Sequence, residues 1–169
     1  VLQFGREHLI QEGFVETHTP KIVATATEGG ADLFPMQYFD RPAFLNQSPQ
    51  LFKQLCMSGG LERVFEIGPA FRAEKSDTYR HLAEFISFDI ECSWANDDDV
   101  MGVLERMLHH IWKSVAEEEE SQSLIATINE FRAEQGEEPV EVIVPELPFP
   151  RVEYDDAIRI IKEKGGSIE

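Results

Sequence analysis

The chain has 169 residues, enough for one domain with one hydrophobic core. Its residues are 42% apolar and 28% charged, with no apolar run long enough to cross a membrane. A formal net charge of −17 excludes a free-standing nucleic-acid-binding domain, which would need a basic stripe.

The charge is uneven. Residues 1–96 carry 8 basic and 13 acidic groups, whereas residues 97–169 carry 7 and 19, so any RNA is expected to approach the first part. Cys56 and Cys92 lie far apart with no CxxC partner, and read as small core residues in a reducing cytoplasm. The opening stretch has neither the cationic lead nor the apolar centre of a signal peptide. It begins without Met inside a predicted helix, which reads as a piece of a longer or processed chain.

Taken in order, Leu2–Glu12 predicts an amphipathic helix with Gly13 past its end. Phe14–Val23 is β-prone and interrupted by Pro20, and Ala24–Asp32 is a Gly-rich loop. Met36–Phe39 and Ala43–Asn46 are strand candidates joined at Asp40–Pro42, and Gln50–Ser58 is helical up to Gly59 and Gly60. Arg63–Glu74 is an extended apolar-rich run, followed by a polar turn over Lys75–Arg80. Glu84–Ala95 then alternates, with Ile86, Phe88, Ile90, Cys92 and Trp94 on one face and Phe85, Ser87, Asp89, Glu91 and Ser93 on the other. Two long strands around a short turn predict an antiparallel hairpin.

Asp97–Asp99 supply the cap and first-turn acids of a long helix over Val100–Glu118. Its expected stripe is Val100, Val103, Leu104, Met107, Leu108, Ile111, Trp112 and Val115. A weaker helix follows over Ser121–Gln135, then an extended Pro- and Val-rich stretch over Glu137–Pro150, then a last helix over Tyr154–Lys164. There is no internal repeat, P-loop or GxGxxG. The order predicts an α+β fold, a mainly antiparallel sheet flanked by helices.

The hairpin carries the chemistry. Arg72 and Glu74, two apart on one strand, share a face, and Arg80, His81 and Phe85 lie across the turn. A guanidinium suits a phosphate, a carboxylate can accept from an exocyclic amine, and a half-exposed ring can stack on a base. A solvated outer face explains the same residues, so from chemistry alone a nucleotide site is one of two readings. His109 and His110 are adjacent rather than four apart, so they read as surface or rim residues and not a metal pair. His8 and His18 are isolated, as packing would explain.

Phe71-Arg72-Ala73-Glu74, a short loop and Arg80-His81-Leu82-Ala83-Glu84-Phe85 resemble the second signature motif of class II aminoacyl-tRNA synthetases, FRxE, loop, RHxxEF. The helix followed by Gly13–Pro20 resembles the first, the dimer-forming motif, with Pro20 at the interface. Asn46–Gln54 resembles the QSPQLxKQ string of aspartyl-tRNA synthetases of the archaeal and eukaryotic type. Thr27–Phe34 resembles the mobile loop that closes over the amino acid in aspartyl and asparaginyl enzymes, and Leu147–Tyr154 the stretch after the second motif. An aromatic at Phe85 is shared with eukaryotic aspartyl and with asparaginyl enzymes, so the branch stays open.

The resemblance implies activation of aspartate by ATP to aspartyl-adenylate, then transfer to tRNA. Arg72 would bind the α-phosphate and the amino-acid carboxylate as the catalytic residue. Glu74 would contact the adenine amine, His81 with Arg80 the terminal phosphates, and Phe85 would stack on adenine. Glu28, Ser48 and Gln50 would hold the amino group, and Lys53 the side-chain carboxylate. The Lys75–Tyr79 loop would face the tRNA acceptor end, and the protein would be a cytoplasmic homodimer. The third motif, the Mg2+ ligands and an anticodon-binding β-barrel would lie outside these 169 residues, leaving this piece alone weak or inactive. An asparaginyl-tRNA synthetase, an ammonia-dependent asparagine synthetase and a non-catalytic synthetase-like module remain alternatives; Lys53 and Pro49 disfavour the first.

Overall fold

The computed structural model describes residues 1–25, 33–73, 78 and 81–166. The chain forms two compact units, Val1–Ile111 and Trp112–Glu169.

The first unit opens with helix α1 (Leu2–Gln11), which stops at Gly13, whose φ of 83° suits a residue without Cβ. Strands β1 (Val15–Glu16) and β2 (Ile22–Val23) flank Pro20, followed by β3 (Pro35–Tyr38) and β4 (Arg41–Leu45). Helix α2 (Gln50–Ser58) leads to the long strands β5 (Arg63–Phe71) and β6 (Glu84–Cys92). Two three-stranded sheets result, β1-β5-β6 and β2-β4-β3. All pairs are antiparallel except β1 with β5, in line with the expected mainly antiparallel sheet.

One face of the β5–β6 pair is the core. Phe65 stands 6.3 Å from Phe88, ring centre to ring centre. A Cβ on Gly5 of α1 would come within 2.5 Å of the Phe88 ring, so glycine lets α1 lie directly on the sheet. Helix α3 (Asp97–Glu117) adds Val103, Met107 and Ile111, one turn apart, to buried Leu9, Phe14 and Phe65.

Several expectations need correcting. The β3–β4 turn is Phe39–Asp40, closed by Phe39 at φ 55°, and Pro42 lies inside β4 opposite Gln37. Among the described residues β2 reaches only Phe44 and Leu45, so there Pro42 sits where β4 has one neighbour and needs no second ladder bond. Strand β6 ends at Cys92; Trp94 lies past it at φ 59° and 93% exposed, and Ile86 is also exposed, so neither joins the apolar face. The α3 cap is Asn96. Its Oδ1 accepts from the Asp99 N–H (3.0 Å), and Asp99 Oδ2 accepts from the Asn96 N–H (2.9 Å), a reciprocal capping box. Of the expected α3 stripe, Val100, Leu104 and Trp112 are exposed.

The second unit contains α4 (Glu119–Glu134) and α5 (Tyr154–Glu163), neither with a buried residue. The extended stretch between them is held to α4 by Asn129, which exchanges two bonds with the Val140 backbone (2.7 and 3.0 Å), and by Arg132, which donates to the Glu138 carbonyl (2.7 Å). Among the described residues no helix is long and apolar enough to cross a membrane.

Candidate functional site

The register of β5 and β6 decides which side chains share the sheet face opposite the core. Ala70 pairs with Phe85, Gly68 with Ser87, Glu66 with Asp89 and Val64 with Glu91. Side chains at every second position share a face, so Glu66, Gly68, Ala70 and Arg72 stand with Phe85, Ser87, Asp89 and Glu91. The middle of this face is Gly68, Ala70 and Ser87, all small. Bulk and charge stand at its two ends, with Phe85 and Asp89 about 13 Å apart along the strand at about 3.3 Å per residue.

Arg72 and Phe85 form one end. The Arg72 guanidinium carbon lies 5.3 Å from the Phe85 ring centre, a cation–π contact. The Arg72 N–H donates to the Ala83 carbonyl (3.0 Å), carrying the strand pairing one step beyond the Phe71–Glu84 pair. Toward the turn, the His81 N–H donates to the Thr78 carbonyl (3.0 Å), and the Thr78 hydroxyl meets His81 Nδ1 at 2.6 Å. His81 is exposed. Glu74 and Arg80 lie outside the described residues, as does the Lys75–Tyr79 loop apart from Thr78.

Lys53 marks the other end. The Ser48 hydroxyl accepts from the Gln50 N–H (3.0 Å) and Pro49 opens α2, so Lys53 falls one turn along with its N–H on the Pro49 carbonyl (2.7 Å). Its side chain is 2% exposed. Its ammonium lies 3.3 Å from Glu91 Oε2 and 3.5 Å from Asp89 Oδ1, and donates to the Ile90 carbonyl (3.2 Å). Gln50 Nε2 donates to the same Glu91 oxygen (2.9 Å), and the Ser87 hydroxyl donates to Asp89. Such a buried ammonium persists only with paired charge and filled hydrogen bonds, and both are present. One cation against two carboxylates leaves the cluster net negative.

The structure therefore brings Ser48, Gln50 and Lys53 together at one end, and Arg72 and Phe85 at the other. Glu28 lies outside the described residues. The Pro20 carbonyl accepts from Asn46 Nδ2 (3.0 Å). Sequence reasoning placed Asp89 and Glu91 on the polar side of β6 but gave them no role. The available signal was two carboxylates alternating on a strand whose other face is apolar. It also missed Glu66, 2% exposed, which accepts from the Thr19 N–H (3.2 Å) and is ion-paired to Lys21. A Cβ on Gly68 would lie 3.2 Å from Glu66 Oε1, so glycine leaves this carboxylate its room.

On the α1–α3 side, His8 packs against His110 with ring centres 5.1 Å apart. His8 Nε2 lies 3.3 Å from Glu12, and Arg106 donates twice to the Glu12 carboxylate (2.6 and 2.8 Å). Among the described residues no three His, Cys, Asp or Glu side chains are grouped so as to hold a metal ion.

The family model described as tRNA synthetases class II (D, K and N) matches residues 1–166. An aspartate–tRNA(Asp/Asn) ligase of Archaeoglobus fulgidus is 52% identical over 168 residues, which is 99% of this chain and 36% of that protein. An aspartate–tRNA(Asp) ligase of Thermoplasma volcanium is 50% identical over 160 residues, 95% of this chain and 35% of that protein. Among solved structures, the asparaginyl-tRNA synthetase of Pyrococcus horikoshii complexed with asparaginyl-adenylate superposes with a TM-score of 0.79 at 36% identity, over 99% of this chain and 36% of that one. The chain thus spans about a third of the length of the relatives it matches.

Proposed function

Because the chain belongs to the class II tRNA synthetases (D, K and N), we propose that it is part of an aspartate–tRNA ligase, which activates aspartate with ATP and passes the aspartyl group to tRNA. The observation that supports this reading is the two-ended face of β5 and β6. A cation with an aromatic ring stands at one end, a buried ammonium–carboxylate cluster at the other, and small residues lie between. An aminoacyl-adenylate is likewise two-ended, with a nucleotide at one end and an amino acid at the other.

In this reading adenine stacks on Phe85 and the α-phosphate lies by Arg72, whose charge offsets the negative charge that builds up as the aspartate carboxylate attacks. His81 faces the terminal phosphates, as do Glu74 and Arg80 for adenine and phosphates from outside the described residues. The substrate ammonium pairs with Asp89 or Glu91 beside Ser48 and Gln50, with Glu28 closing over it. Lys53 is then released to the substrate's side-chain carboxylate. The work of the protein is positioning and charge compensation. Magnesium is expected to accompany ATP; among the described residues no three His, Cys, Asp or Glu side chains are grouped to hold it. Pro20 is proposed to lie in a homodimer interface, the Lys75–Tyr79 loop to meet the tRNA acceptor end, and the whole protein to work in the cytoplasm.

A second reading, an asparaginyl-tRNA synthetase, is favoured by one observation. Lys53 is already matched by two carboxylates, so a neutral amide substrate needs no free cation here. Amino-acid-dependent ATP–pyrophosphate exchange by the full-length protein separates the two. Exchange with aspartate and not asparagine supports the first, the reverse supports the second, and exchange with neither overturns both.

A further inference from the structure

Three segments meet at one buried residue beside the proposed site. Asn46, at the end of β4, is 1% exposed. Its Nδ2 donates to the Pro20 carbonyl (3.0 Å) and its Oδ1 accepts from the Ser48 N–H (3.3 Å). Its own N–H donates to the Lys21 carbonyl (2.9 Å), and its carbonyl accepts from the Phe71 N–H (3.1 Å). The side chain thus joins the Pro20 segment to the turn that opens α2. The main chain alone holds the end of β5, one residue before Arg72.

A donor and an acceptor on a single carbon are what these two contacts require. Aspartate lacks the donor, leucine and alanine lack both, and glutamine is one methylene too long. The turn at Ser48 in turn sets Gln50 and, one helical turn on, Lys53, both of which reach Glu91.

We propose that Asn46 is a positioning residue for the amino-acid end of the site. It fixes the Ser48–Gln50 turn against the Pro20 segment and so aims Gln50 and Lys53. This rests on the aminoacyl-adenylate reading above. It goes beyond it by dividing the scaffold in two: the amino-acid end depends on a side chain, and the nucleotide end on main-chain bonds that no substitution at residue 46 removes.

The test uses the full-length protein and ATP–pyrophosphate exchange, with KM for aspartate and for ATP measured separately and thermal unfolding alongside. Asn46→Ala, which loses both side-chain bonds, is expected to raise the aspartate KM about tenfold while the ATP KM changes less than about twofold. Asn46→Asp keeps the acceptor for Ser48 but sets a buried carboxylate oxygen against the Pro20 carbonyl in place of the donor, and is expected to shift the same KM selectively. Unchanged KM values in both variants overturn the proposal. So does a parallel rise of both KM values with a fall in Tm, or failure of both variants to fold, since Asn46 would then only support the fold. If the wild-type protein exchanges with asparagine instead, the substrate reading fails and the split is read on asparagine. The two failures are therefore distinguishable.

Discussion

Lys53 and Glu91 form an ion pair in which the ammonium is 2% exposed, the carboxylate 20% exposed, and the two are 3.3 Å apart. Asp89 stands 3.5 Å from the same ammonium, so removing it leaves two neighbouring carboxylates without their shared cation. Uncompensated charge of this kind costs far more than the pair contributes. Lys53→Met, which keeps most of the volume, is expected to lower stability by about 3 kcal/mol in thermal or urea unfolding. In the full-length protein it should also raise the aspartate KM by at least about tenfold while leaving the ATP KM nearly unchanged. An unaltered aspartate KM removes the case for Lys53 as the side-chain contact.

Arg72 and Phe85 are in contact at the other end but bear on different parts of the nucleotide, so they should fail differently. Arg72 bears on the phosphate where charge develops, and Arg72→Ala should cut the rate of ATP–pyrophosphate exchange by on the order of 10²–10³-fold. Phe85→Ala removes a stacking surface, worth about 1–3 kcal/mol per base, together with the ring beside Arg72, and should raise the ATP KM about tenfold with a smaller effect on kcat. Near-normal exchange by Arg72→Ala contradicts the assignment of this end to the nucleotide.

The sheet was legible because period two is a local signal. Glu84–Cys92 alternates, and the structure places Phe88 and Ile90 toward the core and Asp89 and Glu91 on the other face. Where the strand stops was not legible. The strand ends at Cys92, yet alternation runs on through Ser93 and Trp94 in sequence, and the chain turns away at Trp94 in a left-handed conformation. The Phe39–Asp40 turn was missed for a related reason. Pro42 looks like turn chemistry, but β4 has a single neighbour there and tolerates it. At the site, the QSPQLxKQ-like string pointed to Lys53, yet its partners Asp89 and Glu91 lie more than 35 positions away, and only the β5–β6 register brings them beneath it. Asn46 was unremarkable for the same reason, since its bond to Pro20 spans 26 positions.

The His8 imidazole gives the fold a predictable acid sensitivity. Burial pushes its pKa below the ordinary 6.5, with nearby His110 and Arg106 acting in the same direction and Glu12 opposing them. The folded state therefore binds this proton less readily than the unfolded chain does. Stability from the neutral ring is fully present above about pH 6.5 and is lost as pH falls through the depressed folded value. Glu12 behaves separately: hydrogen bonding from Arg106 holds its carboxyl below the ordinary 4.5, so its contribution persists to lower pH and fades only beneath that value. Replacing His8 by Phe removes the first loss and leaves the second. Urea midpoints taken from about pH 7 down to about pH 5 should fall less steeply in His8→Phe than in the wild type, with the two curves becoming parallel at more acid pH. Equal slopes over that interval place the acid sensitivity somewhere other than the α1–α3 contact.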